Sequence, residues 1–161
     1  MADDHNLFTA IRLAFPKDLD ATAIETADGA SRFYTWRDLD RATAMIANLL
    51  ASLGLPAGAR VAVQTEKSVE ALMLYLAVLR AGYVYLPLNT AYQSSEIEYF
   101  IANAEPSVMV CSGKNFGWVS KIAFRAGTAH VFTLNEDGTG SLLDRAAHHG
   151  DRHLPAVKGR D

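Results

Sequence analysis

Cysteine is nearly absent. Cys111 is the one thiol in 161 residues, so no disulfide can form within the chain, which fits a reducing compartment. Clustered cations are missing as well: 15 Lys and Arg stand against 18 Asp and Glu, for a formal net charge of −3. Without a basic stripe the chain lacks the electrostatic footprint of a nucleic-acid binder. The longest apolar run, Val69 to Leu79, is interrupted by Glu70 and is too short to cross a bilayer. The opening Met1-Ala2-Asp3-Asp4 has neither the basic stretch nor the apolar run of a secretory leader. The expectation is a cytoplasmic protein with no membrane span and no nucleic-acid partner. No internal repeat or low-complexity segment is visible.

What is present is the material of one ordinary globular domain: half the residues are hydrophobic and a fifth are charged, enough for a packed core at this length. Asn6 to Phe15 reads as a short helix with Leu7, Ile11 and Phe15 on one face. Asp28-Gly29 separates two β-like runs, Ala23–Thr26 and Arg32–Tyr34, as in a hairpin. Thr35 and Asp38 have capping-box spacing ahead of a helix that should bury Leu39, Ala42, Ile46, Leu49 and Leu53 and end at Gly54.

From Arg60 a regular alternation begins. Arg60–Thr65, Val84–Leu86, Ser107–Cys111 and His130–Leu134 read as short buried strands. Ser68–Arg80, Ser95–Ala104 and Phe116–Ala126 read as the helices between them, the second capped through Glu98. This pattern predicts an α/β fold with a mainly parallel sheet and helices on both faces. Residues 1–147 form that unit, Ser141–Ala147 being a last short helix. The polar segment 148–161 reads as a linker or lead-in.

Ligands of open parallel sheets bind beyond the carboxyl ends of the strands, which selects Thr65-Glu66-Lys67, Asn89-Thr90, Cys111-Ser112 and Asn135-Glu136. Simple structural roles account for most of these. Ser68 is placed to cap a helix, and Glu66 lies near its positive end. Asp137-Gly138-Thr139-Gly140-Ser141 reads as a turn, because the nearest cation, Arg145, lies outside it. His148, His149 and His153 fall in a polar tail, expected to be mobile and without a cysteine nearby, so no metal site is expected. Cys111 reads as a core residue, and Met45, Met73 and Met109 sit at core spacing. No catalytic residue is assigned.

One stretch carries a resemblance. Val61-Ala62-Val63, Glu70-Ala71, Leu79-Arg80-Ala81-Gly82, Tyr85-Leu86-Pro87-Leu88-Asn89, Tyr92, Glu96-Ile97 and Ala104-Glu105-Pro106 are similar to the N-terminal domain of acyl-CoA synthetases. These form a branch of the adenylate-forming superfamily, and the wording is nearest that of malonyl-CoA synthetases. Thr35 to Gly54 matches as the helix before the first sheet strand. Tyr83 and Gln93 depart from the residues usual at their positions, without touching a reacting group.

The resemblance implies an ATP-dependent acid–CoA ligase that converts malonate, ATP and CoA to malonyl-CoA through an acyl-adenylate, with Mg²⁺ assisting, in fatty acid metabolism. It covers nearly the whole chain but only about the first third of such an enzyme. The family's Thr/Ser/Gly-rich loop ending in Lys-Gly and its C-terminal lysine have no counterpart among the 161 residues. The expectation is therefore an N-terminal fragment, inactive alone and binding none of ATP, Mg²⁺ or CoA stably. Its partners would be the remainder of the ligase polypeptide and, in the parent enzyme, a small carboxylic acid. Residues 148–161 would lead into the ATP-loop strand. One site residue carries over: in related acetate-activating enzymes, basic residues in the loop after the strand matching Val108–Cys111 contact CoA phosphates, and Lys114 falls there, with Lys121 farther on; the alternative for Lys114 is a solvated surface lysine. The alternative is a free-standing α/β binding or interaction module without catalysis, and a flavodoxin-like nucleotide binder shares the alternation but lacks a phosphate loop. A monodisperse, cooperatively folding monomer would favour the module.

Overall fold

The structure, a computed structural model, describes residues 4–158. Gly159 to Asp161, the end of the expected lead-in, lie outside the described residues. In chain order the elements are α1 (Leu7–Leu13), β1 (Thr22–Glu25), β2 (Phe33–Thr35), α2 (Trp36–Ser52), β3 (Arg60–Gln64), α3 (Val69–Arg80), β4 (Val84–Pro87), α4 (Ser94–Ala104), β5 (Val108–Cys111), α5 (Phe116–Arg125), β6 (His130–Thr133) and α6 (Ser141–Ala146), with a 3₁₀ turn at Gly113–Asn115. β1 and β2 pair as an antiparallel hairpin. The other four strands form one parallel sheet in the order β4-β3-β5-β6.

Strand alternation decides which side chain meets which layer. Val61, Val63, Val108, Val110 and Phe132 point to one side and pack with α2, α3 and α6. Ala62, Met109 and Cys111 point to the other and pack with Ile97 and Ile101 of α4 and Val119 and Ala123 of α5. The sheet is thus covered on both faces, which is why its strands read as continuous apolar runs. Cys111 is buried, and burial pushes its thiol up to about 12, so it packs as a core residue.

The edge strand β4 carries Pro87 without breaking the ladder. Val84 N–H donates to Ala59 O and Leu88 N–H to Val63 O. Alternation puts position 87 on the outward side, where a missing N–H costs no ladder bond. A proline there also blunts further pairing along that edge.

The helix signals hold in most places. The Thr35–Asp38 capping box forms, with Asp38 N–H on Thr35 Oγ1 at 3.1 Å and Thr35 N–H on Asp38 Oδ2 at 2.8 Å. Two readings need correction. α4 begins at Ser94, and its reciprocal capping pair is Gln93 with Glu96 rather than Ser95 with Glu98. Ser95 already lies inside the first turn, and its hydroxyl reaches the Glu96 carboxylate instead. In α1 the buried side chain is Phe8, not the Leu7–Ile11–Phe15 face. Asn6 caps that helix, and the Arg80 guanidinium lies 4.8 Å from the Phe8 ring centroid, a cation–π contact that selects this face. Phe15 falls beyond the helix and packs on Trp36.

The tail from residue 150 has no regular structure, yet it is tied along its length. Asn48 Nδ2 donates to Gly150 O and Arg152 O. Arg80 Nε donates to His153 O at 2.9 Å, and Asn6 Nδ2 bridges Leu79 O and Ala156 O. Ala156 N–H reaches Arg80 O, and His5 N–H reaches Lys158 O. Burial lowers the pKa of His153 below its usual value, with the nearby Arg80 charge adding to the effect.

Candidate functional site

The carboxyl ends of β3, β4 and β5 open onto one cavity of about 250 Å³, lined among others by Gln64, Thr90, Tyr92, Ser112, Lys114 and Trp118. Three of the four strand ends selected from sequence thus converge, through Thr65-Glu66, Thr90 and Ser112. The fourth stands behind the cavity: Asn135 Oδ1 accepts the Gly113 N–H at 2.8 Å and so braces the turn that carries Lys114. Lys121 lies farther along, on α5.

Each wall has a local cause. Trp118 Nε1 donates to Asn115 Oδ1 at 3.3 Å across the start of α5. Tyr92 stacks on Phe100 of α4, centroids 5.0 Å apart. Asn89 Oδ1 accepts the Ala91 N–H at 2.9 Å, an Asx turn of the kind this residue favours. Two polar atoms at this cavity are buried without a hydrogen-bond partner among the described residues, Gln64 Oε1 and Ser112 Oγ. A lysine, two aromatic side chains and several hydroxyl and amide groups in one concavity suit a phosphate-bearing aromatic ligand.

A larger groove of about 610 Å³ lies between the hairpin and the start of α3, lined by Asp28, Arg32, Lys67, Leu72 and Glu136 among others, and shares no residue with the first. Beside it Glu70 is buried, accepting from Tyr34 Oη at 3.1 Å with Arg32 at 3.7 Å. That carboxylate ties the hairpin to α3, a role not visible in a sequence where Glu70 interrupts an apolar run and belongs to the family resemblance.

The Asp137–Ser141 segment is a turn with three of its amides occupied. Gly138 N–H meets Asn135 O, Thr139 N–H meets Asp137 Oδ1, and Ser141 N–H meets Thr133 Oγ1. Among the described residues no three His, Cys, Asp or Glu side chains gather into a set that could hold a metal ion. No helix among them is long and apolar enough to cross a membrane.

A family model described as AMP-binding enzyme matches residues 14–155. The chain belongs to that family. MatB from Rhodopseudomonas palustris, solved in apo and ATP-bound forms, is 45% identical with a TM-score of 0.88, over 97% of this chain and 30% of that one. Tyrocidine synthase 1 of Brevibacillus parabrevis is 30% identical over 134 residues, 83% of this chain and 11% of the relative. A probable CoA ligase, CCL9, of Humulus lupulus is 27% identical over 69% of this chain and 21% of its own length. The chain spans about 30% of the MatB structures and less of the curated relatives. It corresponds to an N-terminal part of the adenylate-forming fold, and ATP is the nucleotide bound in the MatB neighbour.

The residues fit the implied ligands unequally. The Lys114 cavity offers one cation and two aromatic side chains, Tyr92 and Trp118, with the Glu66 carboxylate also in its wall. For ATP and Mg²⁺ neither a Lys-Gly-terminated loop nor an acidic cluster is present among the described residues.

Proposed function

We propose that this chain is the N-terminal part of an ATP-dependent acid–CoA ligase that activates malonate, and that its own contribution is a wall of the CoA site. The likeness to MatB over 97% of the chain carries the ligase assignment, and the malonyl resemblance of residues 60–106 supports the acid. CoA, when bound, supplies the thiol that takes the acyl group from AMP. Lys114 would hold a phosphate of CoA at the mouth of the cavity, with Tyr92 and Trp118 on either side. The scaffold of β3, β4 and β5 keeps those side chains in place.

Two outcomes test this. Purified residues 1–161 should catalyse no malonate-dependent exchange of pyrophosphate into ATP, because the cations and amides that stabilise developing phosphate charge are not encoded in it; clear exchange would refute the scaffold role. In the ligase of which this chain forms part, Lys114→Ala should raise the KM for CoA about fivefold, the scale of one partly solvated ionic contact. An unchanged KM would remove Lys114 from the CoA site.

A further inference from the structure

We infer that Gln64 is a positioning residue for this cavity, setting its width through the turn that its amide holds; the inference rests on the CoA reading of the Lys114 site. Gln64 is the last residue of β3 and is 1% exposed. Its Nε2 donates to Asn89 O at 3.0 Å and to Tyr92 O at 3.2 Å. Both protons of one amide group are therefore spent on the two ends of the turn that runs from β4 into α4. Rotating the amide would set its oxygen against two carbonyls, so the donors fix the orientation. The remaining oxygen stays buried without a partner among the described residues.

A buried acceptor without a donor is costly, and an apolar side chain of similar shape would avoid that cost. The amide is retained where its two bonds act on a functional wall. Thr90 and Tyr92 lie on the turn it holds, and line the cavity together with Ser112 and Lys114 on the turn after β5 and Trp118 at the start of α5. The second turn is braced independently by Asn135, so the spacing between the walls depends on Gln64 from one side. Loss of these two bonds lets the Asn89–Tyr92 turn move while the sheet beneath it stays, since the β3 ladder bonds are made by backbone.

Gln64→Met removes both donors and the orphaned oxygen with little change of volume. In the ligase it should raise the KM for CoA on the order of tenfold, the scale of a binding group displaced by a fraction of an ångström. The KM for ATP should stay constant and kcat should stay within about twofold. Equal KM for CoA in variant and parent overturns the inference. So does a matched rise in the KM for ATP with a fall in kcat, which marks general damage. Failure of the underlying CoA reading looks different: Lys114→Ala then leaves the KM for CoA unchanged. Should Gln64→Met not fold, the unsubstituted ligase still decides by NMR. The Gln64 side-chain amide protons should exchange slowly with solvent, and more slowly still with CoA present; rapid exchange in both states overturns the inference.

Discussion

Replacing Arg80 with methionine should lower the stability of the chain by about 3 kcal/mol, the lower end of the range for breaking a buried ion pair, because Arg80 is buried while Asp40 is 26% exposed. Nη1 of Arg80 donates to Asp40 Oδ1 at 3.1 Å, Asp40 O at 2.8 Å and Thr43 Oγ1 at 3.0 Å, while Nε serves His153 O at 2.9 Å. Burial pushes the guanidinium pKa down and Asp40 opposes it. The pair is not stabilising merely because it is ionic, since desolvation offsets much of the attraction. Its value lies in how many acceptors it serves. Methionine keeps the apolar stem but leaves the His153 carbonyl of the tail without its guanidinium donor, the Asp40 carbonyl with Thr43 Oγ1 at 3.2 Å, and the Asp40 carboxylate with only Arg12 at 3.2 Å. Urea unfolding measures the loss, and hydrogen exchange at Ala156, whose N–H rests on Arg80 O, should quicken with it. A loss below about 1 kcal/mol would place Arg80 with ordinary surface ion pairs.

Gly140→Ala should cost about 3 kcal/mol. Its φ of +137° with ψ of 172° lies in a region that only glycine occupies readily, at a cost of about 1–3 kcal/mol for other residues. A Cβ there would also collide with the Thr133 carbonyl oxygen and lie 3.0 Å from Thr133 Oγ1. Thr133 and Ser141 hold each other through Thr133 N–H on Ser141 Oγ and Ser141 N–H on Thr133 Oγ1, both 2.9 Å. The added methyl forces these bonds apart and loosens α6 from the core. Gly29→Ala is the matched control: φ is +52° and nothing lies within 4 Å of the new methyl, so its cost should be about 1 kcal/mol. Equal melting temperatures for the two variants would show that the backbone at residue 140 relaxes freely.

The parallel sheet was legible because strands buried on both faces leave unbroken apolar runs such as Val61-Ala62-Val63 and Val108-Met109-Val110, with helix-length segments between them. Thr35 and Ser68 were legible because a cap is a local event, decided within four residues. Phe8 was hidden, since the face α1 buries is chosen by Arg80, more than seventy residues away. Lys114 could be placed only through a family likeness; nothing in its neighbours distinguishes it from a solvated lysine. Gln64 looked like the end of a strand, and its role depends on where the Asn89–Tyr92 turn comes to rest. The tail escaped notice for the same reason: its bonds are made by its backbone, to side chains such as Asn48 and Arg80, and backbone carbonyls leave no mark in a sequence.

The contact between Asp4 and Lys158 spans 154 positions, with Lys158 N–H on Asp4 Oδ1 at 3.0 Å. A bond of that separation closes a loop through the whole sheet and its helices, so its entropy is recovered late. During synthesis the sheet strands leave the ribosome in order and can pair, while Asn6 waits for the carbonyl of Ala156. Residues around Asn6 are therefore made before, and settle after, the sheet they rest on, and the α1 end stays open to proteases until the tail arrives.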